Sequence, residues 1–196
     1  SGLVGGYLER MVAILGAKPR AAMVGGRGEL VTEAVVPDWF EAVQFRWAVG
    51  PQGQRETAGP LLYIWGAGVG MRTKWVRQIL DSNFPFLMSG PTENNRLVGG
   101  EDIEWGFIFQ ALGKLCWYEP NLVFRHNIPA SKLTIEHAEA LKNARKPATA
   151  RVSACYRPIL ELQQSSFRDK MKMILDILRN RSPYRAMPWV MLQWML

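Results

Sequence analysis

The residues best placed to do chemistry follow a pair of glycines near the middle of the chain. Glu101, Asp102 and Glu104 come directly after Gly99-Gly100 and directly before an apolar run that is typical of a helix. This spacing predicts that Asp102 caps the helix and that Gly113 ends it. A carboxylate at a helix N-terminus is kept ionised by free amides and the helix dipole, which suits a general base at the mouth of a cleft. Simple capping without catalysis is the alternative.

A second glycine-rich segment follows the run with the strongest strand pattern, residues 61–65. Gly66, Gly68 and Gly70 then precede a predicted helix over residues 73–80. The spacing is not the Gly-x-Gly-x-x-Gly of dinucleotide-binding folds, and no acidic residue closes a following strand at the required distance. We therefore expect a tight turn that a ligand or another stretch of backbone approaches closely.

Strands and helices alternate through residue 134. The patterns predict a helix over residues 4–16, a strand buried on both faces over 21–24, and a second strand over 30–36 after a glycine turn at 25–29. Loops are expected at residues 50–60 and 81–100. Strands are expected at 114–118 and 122–125, around a turn at 119–121. This alternation predicts an α/β fold.

After Pro129 the sequence has the apolar spacing of helices and is rich in Lys and Arg. Helices are predicted over residues 134–146, 152–164 and 167–180, broken at Pro147 and bent near Pro158. We define two domains accordingly, at residues 1–134 and 135–196. The basic amphipathic tail suits a bilayer surface, and packing of its apolar face on the domain is the equal alternative.

Composition narrows the classes of function. The chain carries a net charge of +7, which favours a phosphate-bearing substrate, a bilayer surface or nucleic acid as partner. Cys116 and Cys155 lie in apolar contexts and predict buried thiols in a reducing compartment. No secretory leader and no run long enough to span a membrane is present. The sequence starts without Met and stops within an apolar run, so we expect a fragment of a longer chain.

Three features in order carry a family resemblance: the glycine turn after a buried strand, the Gly99–Glu104 segment, and residues 125–134, which read RHNIPASKLT. This succession resembles the second half of a family 2 glycosyltransferase with the A-type fold, over most of residues 1–134. The resemblance implies a partial A-type α/β fold with a mixed sheet. It also implies inverting transfer from a nucleotide-diphosphate sugar to an acceptor hydroxyl of a glycan or glycolipid. Surface polysaccharide or glycolipid synthesis on the cytoplasmic side of a membrane is the expected setting.

The resemblance also assigns roles to individual residues. Asp102 matches the catalytic base, and Glu101 matches the neighbour that orients the acceptor or its loop. Gly66 and Gly68 match the turn that lines the sugar pocket. His126 matches a ligand of a divalent metal, Mn²⁺ or Mg²⁺, and an imidazole favours Mn²⁺.

Two further residues have candidate binding roles. Lys132 lies where relatives carry Arg and would face phosphate oxygens, as a point charge without the bidentate fork. Trp105 is a candidate for stacking on a sugar ring, or else belongs to the core beside Phe107 and Phe109. A hydrogen-bonded structural role is likewise the alternative for His126.

One feature of the family is missing. No Asp-x-Asp occurs in the sequence, so the nucleotide-binding half is expected upstream, and the fragment alone is expected to be inactive. A rival function is a non-catalytic module that binds a membrane or an acidic partner. Nucleic-acid binding is disfavoured, because the aromatic residues lie in apolar runs rather than alternating with basic ones.

Overall fold

The structure is a computed structural model that describes residues 2–82, 84, 86–88, 92–93, 96–97 and 99–164. The strands are β1 (Gly2–Leu3), β2 (Ala21–Val31), β3 (Gly59–Leu61), β4 (Gly70–Met71), β5 (Thr92–Glu93), β6 (Arg96–Leu97) and β7 (Leu115–Asn127). The α-helices are α1 (Tyr7–Ala17), α2 (Phe40–Val43), α3 (Thr73–Asp81), α4 (Glu101–Ala111) and α5 (Ile135–Gln164).

A parallel pair of long strands, β2 and β7, forms the centre of a five-stranded mixed sheet. β1 pairs antiparallel with β7, and β4 pairs antiparallel with β2, which gives the order β1-β7-β2-β4. β3 pairs with the first part of β7, and β5 and β6 form a separate two-stranded ribbon. The predicted α/β class is confirmed.

The predicted turns at residues 25–29 and 119–121 are wrong, because both segments are part of continuous strands. Between the pairs Gly26↔Glu119 and Arg27↔Val123 the register shifts, so the three intervening residues of β7 form a bulge. A Cβ on Gly26 would lie 1.8 Å from the Leu122 carbonyl oxygen, so glycine is needed here for close backbone approach. The glycine cluster thus accommodates a bulge in the neighbouring strand.

The segment before the second glycine turn also differs from its prediction. Only Leu61 of the predicted strand at residues 61–65 belongs to β3, and the chain then continues without regular structure. In this segment the backbone groups form hydrogen bonds with the buried side chain of Gln52 instead of with a neighbouring strand. It donates to the Tyr63 carbonyl at 2.9 Å and accepts from the Trp65 N–H at 3.0 Å.

The predicted helix with the acidic start exists, but Asp102 does not cap it. Gly100 occupies the N-cap position with φ 120°, and Glu101 is the first helical residue. Glycine tolerates this backbone conformation, which other residues rarely adopt. Gly113, with φ 68°, follows the end of α4 as expected.

Helix α5 is a single element, so the predicted break at Pro147 is wrong. Ala148, Val152 and Tyr156 repeat at four-residue spacing, are all buried, and pack in the same core as α4. Over the described side chains up to Tyr156, therefore, the apolar face of the predicted tail packs on the domain. The predicted helix at 167–180 lies outside the described residues, and the boundary at residue 134 stays a prediction.

Both cysteines are free thiols, as predicted. Cys116 is fully buried, which raises its pKa to about 12, and Cys155 is half-buried. Within the described part of the chain, no helix is both long and apolar enough to cross a bilayer.

Candidate functional site

A cleft of about 730 Å³ lies between the start of α4 and one side of α5. This volume falls in the range of about 300–1,000 Å³ that is usual for small-molecule sites. The charged residues of the cleft are Arg46, Glu101, Asp102, Lys142, Arg145 and Lys146. Its apolar lining includes Phe45, Gly99, Gly100, Leu141, Ala144 and Ala150.

Asp102 lies in this cleft and joins three segments of the chain. Its Oδ2 accepts a hydrogen bond from the Gly66 N–H at 3.3 Å and lies 3.8 Å from Nη2 of Arg145. Its Oδ1 accepts from the Ile103 N–H at 2.8 Å. The glycine turn after residue 65 and the acidic helix start, which the sequence singled out separately, therefore meet at one carboxylate.

Burial raises the pKa of Asp102, and this effect outweighs the opposing attraction of Arg145. The Asp102 side chain is nevertheless 13% exposed, so a ligand in the cleft can reach it. A carboxylate with a raised pKa is a stronger base than a solvated one, and its partial exposure allows proton transfer. The site can therefore accept a proton from a bound hydroxyl.

The cations of the cleft come from two elements. Lys142, Arg145 and Lys146 follow one another along one side of α5, and Arg46 belongs to a short 3₁₀ turn after α2. Arg46 and Lys142 both pair with Glu139, at 3.2 and 3.0 Å. Lys146 makes no ion pair within the described ranges.

Glu101 and Glu104 differ in environment although both belong to the first turn of α4. One oxygen of Glu101 is buried, lacks a hydrogen-bond partner among the described residues, and belongs to a side chain that lines the cleft. Glu104 is only 1% exposed and points away from the cleft into the core. The sequence placed Glu104 in the motif without assigning it a role.

The role of Glu104 is to connect three segments. Its carboxyl accepts hydrogen bonds from the N–H groups of Leu87 and Met88, at 2.7 and 2.8 Å, and from the Tyr156 hydroxyl at 2.6 Å. Burial and this contact raise the pKa of Tyr156. Glu104 thereby holds α5, which carries the cleft cations, against α4, which carries Asp102.

Other predicted site residues lie away from the lining of the cleft. Gly68, with φ 68°, packs under the Phe124 ring, and its carbonyl accepts a hydrogen bond from the Tyr7 hydroxyl. Trp105 packs between Phe86 and Phe109, with ring centroids 5.1 and 5.4 Å away, which agrees with its core alternative.

His126 and Lys132 also lie outside that lining. Nδ1 of His126 lies 2.5 Å from the Trp47 carbonyl oxygen and must donate to it, which leaves Nε2 as the nitrogen able to bind a metal. Burial lowers the pKa of His126, so the neutral, metal-binding form is favoured. However, the described residues contain no group of three or more His, Cys, Asp or Glu side chains that could hold a metal ion.

A second cavity of about 430 Å³, which we call the side groove, adjoins the cleft because Phe45 lines both. Its other side-chain walls include Pro51, Leu61, Leu62, Tyr63 and Trp65. The guanidinium of Arg145 lies 5.9 Å from the centre of the Tyr63 ring, within the range of a cation–π contact. Arg145 therefore contacts both the groove wall and Asp102.

Comparison with known proteins identifies no relative for this site. No protein-family model, no curated protein and no solved structure matches this chain.

Proposed function

We propose that this chain is the acceptor-side half of an inverting glycosyltransferase with a partial A-type fold, and that Asp102 is its catalytic base. The observation that carries the proposal is the position of Asp102: a partly exposed carboxylate of raised pKa, at a helix start, in a cleft with four cationic side chains. The Gly66 turn, which the family resemblance implies for the sugar pocket, supports it by donating to that carboxylate.

The proposed reaction is a single displacement. The acceptor hydroxyl gives its proton to Asp102 while its oxygen bonds to the anomeric carbon of the donor sugar. The bond from that carbon to the nucleotide diphosphate breaks, and the diphosphate leaves with the electron pair. Arg46, Lys142 and Lys146 stabilise its developing charge. Glu101, one buried oxygen of which has no hydrogen-bond partner among the described residues, is assigned to a second hydroxyl of the acceptor.

The implied partners are a nucleotide-diphosphate sugar and a glycan or glycolipid acceptor, in surface polysaccharide or glycolipid synthesis. A peripheral position on the cytoplasmic face of a membrane is part of the same proposal. A divalent cation, Mn²⁺ or Mg²⁺ with His126 as a ligand, also remains part of it. When bound, such a cation would neutralise charge on the diphosphate.

The test is Asp102→Asn in the complete natural protein that contains these residues. Transfer, measured as release of nucleoside diphosphate in the presence of acceptor, should fall at least about a hundredfold, because general-base catalysis contributes about 10²–10⁴-fold. Binding of the nucleotide sugar and the melting temperature should change little. Glu9→Gln, which alters an exposed carboxylate in the first turn of α1, is the control and should retain activity. Retained turnover in Asp102→Asn would show that the base is misassigned.

A second function is favoured by one specific observation, the excess of cations over carboxylates in the cleft. A non-catalytic module that holds an anionic partner would use the same cations. Lys142→Gln together with Lys146→Gln would then weaken partner binding, while Asp102→Asn would strengthen it by removing a negative charge. Loss of transfer in Asp102→Asn instead supports the enzyme.

A further inference from the structure

Arg145 differs from the other cleft cations in the group that it faces. Its Nη2 lies 3.8 Å from Oδ2 of Asp102. Arg46 and Lys142 instead pair with Glu139, at 3.2 and 3.0 Å. The proposed reaction gives the other cations to the diphosphate and leaves Arg145 without a part. The position of Arg145 beside the catalytic base therefore needs its own explanation.

The contact with Arg145 leaves room on Asp102 for a substrate. A separation of 3.8 Å is longer than a hydrogen bond, so the guanidinium attracts the carboxylate without occupying one of its lone pairs. Among the described residues, Oδ2 accepts from the Gly66 N–H and Oδ1 accepts from the Ile103 N–H. Since each carboxylate oxygen can accept two hydrogen bonds, both keep a lone pair for a hydroxyl. The two amides fix the orientation of the carboxylate, and Arg145 supplies charge.

Arg145 also contacts an aromatic ring whose backbone is held in place. Its guanidinium lies 5.9 Å from the centre of the Tyr63 ring, which is within the range of a cation–π contact. The Tyr63 carbonyl accepts a hydrogen bond from Gln52 at 2.9 Å, and a Cβ on Gly106 of α4 would lie 2.4 Å from Cβ of Tyr63. Asp102 belongs to the same helix as Gly106. Arg145 therefore lies between two groups that are both positioned by α4.

The charges around Asp102 make this contact important. Burial raises the pKa of Asp102, and the neighbouring Glu101 carboxylate raises it further. The charge of Arg145 lowers this pKa more than either backbone hydrogen bond does. The other titratable groups around Asp102 are Tyr63 on the segment before the glycine turn, Arg46 on the turn after α2, and Lys142 and Lys146 on α5. Without Arg145, more of the Asp102 side chain would carry a proton, and a protonated carboxyl cannot act as a base.

We propose that Arg145 is a positioning residue for the transfer reaction, which keeps the buried Asp102 ionised and ready to take the proton of the acceptor hydroxyl. Arg145 acts through Asp102 and forms no bond to the reacting atoms. The proposal rests on the proposed function, because it requires Asp102 to be the base. It gives Arg145 a different task from that of the cations assigned to the diphosphate.

The experiment compares Arg145→Gln and Arg145→Lys with the unsubstituted form of the complete natural protein. It measures kcat/KM for transfer from mildly acidic to mildly alkaline pH. At acidic pH, Arg145→Gln should lower kcat/KM about tenfold or more, because a carboxyl that loses a cation at this distance ionises only at higher pH. Activity should return nearly to that of the unsubstituted protein at a pH that ionises Asp102 in both. Arg145→Lys keeps the charge and should keep most of the activity at acidic pH.

Lys142→Gln is the matched control. It removes a cation from the same helix and the same cleft, but Lys142 pairs with Glu139 rather than with Asp102. This variant should lower kcat/KM by a similar factor at every pH. If Arg145→Gln behaves in the same way and raises KM for the nucleotide sugar, Arg145 holds the diphosphate and its positioning role is wrong. Melting temperatures verify that each variant is folded.

Titration of Asp102 provides a measurement that does not require activity. ¹³C NMR of the aspartate side-chain carboxyls follows their protonation, and Asp102→Asn identifies the signal of Asp102. The pKa of Asp102 should be higher in Arg145→Gln than in the unsubstituted protein, and nearly unchanged in Lys142→Gln. An unchanged titration of Asp102 in Arg145→Gln would overturn the proposal, even if the activity of that variant is low.

The two proposals can fail separately. If Asp102→Asn loses turnover while Arg145→Gln alters neither the titration of Asp102 nor the pH dependence of transfer, the base is correctly assigned and the role of Arg145 is wrong. If Asp102→Asn keeps its turnover while Arg145→Gln shifts the titration, the proposed function is wrong. Arg145 then controls the charge of Asp102, but transfer does not depend on it.

Discussion

At the scale of single residues, three neighbouring carboxylates have three different environments. Asp102 faces the cleft, Glu101 has one buried oxygen without a described partner, and Glu104 is fully committed to hydrogen bonds in the core. Their shared location at a helix start was visible in the sequence. The sequence did not show that their environments differ. That difference depends on Tyr156 and on residues 87 and 88, which are distant from the helix start along the chain.

The raised pKa of Asp102 implies that the free energy of unfolding depends on pH in a particular direction. The folded chain keeps a proton on this group over a pH range in which the unfolded chain has already released it. Since stability falls with rising pH wherever the folded state binds more protons, this contribution is present at low pH and is lost as pH rises through the folded pKa. Asparagine does not titrate, so Asp102→Asn lacks this loss.

The measurement is urea unfolding of the chain and of Asp102→Asn at several pH values, from below the ordinary aspartate pKa of 3.8 to neutrality. The free energy of unfolding of Asp102→Asn, relative to the unsubstituted chain, should rise with pH over this range. A relative fall would mean that Arg145 lowers the pKa of Asp102 more than burial raises it.

At the scale of elements, α4 contacts the segment before the glycine turn at a glycine. A Cβ on Gly106 would lie 2.4 Å from Cβ of Tyr63 and 2.6 Å from the Leu62 carbonyl oxygen. Neither atom belongs to the flexible end of a side chain, so the two segments would have to separate.

We expect Gly106→Ala to destabilise the chain by about 1–3 kcal/mol, the usual effect of overpacking a tight interface. Gly16→Ala is the matched control, because Gly16 is also helical but has no atom within 4 Å of its Cβ position. That change should stabilise by about 0.5–1 kcal/mol through helix propensity. Thermal unfolding measures both, and similar shifts for the two variants would contradict the contact.

Helices and strands were predicted correctly from the sequence where interactions between neighbouring residues determine them. The helices α3 and α4 and the stop at Gly113 were predicted because periodicity and a positive-φ glycine act locally. The turns at residues 25–29 and 119–121 were wrong because glycine and proline mark close approach and bulges as well as turns. Nothing local distinguishes these uses. The break at Pro147 was wrong because packing of Ala148, Val152 and Tyr156 maintains the helix across it.

Within the site, too, residues in local motifs were predicted from the sequence, whereas those placed by irregular segments were not. Asp102 and the Gly66 turn were identified from local motifs, and the structure brings them together. Arg46 and the side groove were missed, because both depend on the placement of irregular segments for which the sequence carries no periodic signal. Phe45 and Leu62 were uninformative as isolated apolar residues in the sequence, and the structure shows that both line the side groove.

At the scale of the whole molecule, one core joins the sheet to the helices on one side. Met23 of β2, Phe107 of α4, Cys116 of β7 and Val152 of α5 all belong to it. The first part of the predicted tail is therefore part of the same hydrophobic core as the sheet.

Val152→Ala should accordingly lower the free energy of unfolding by about 1–3 kcal/mol, from two lost methyl groups and the cavity they leave. Because the core is shared, circular dichroism and tryptophan fluorescence should report the same shifted transition. Arg151→Ala, at an exposed neighbouring position, should change stability by less than about 0.5 kcal/mol. Two separate transitions would show that α5 unfolds independently of the sheet.

The pairing of β2 with β7 has a consequence for how the chain folds. Partners such as Ala21 and Leu115 are about 90 residues apart along the chain, so β2 meets its central neighbour only after that intervening segment has been made. Such distant pairing is slow to form, because the entropy of closing the intervening segment is lost before the contact is gained. On the ribosome, the apolar residues 21–24 would remain without their β7 partners until residues 115–117 had emerged. A nascent chain stalled before that point should therefore depend on chaperones to stay soluble.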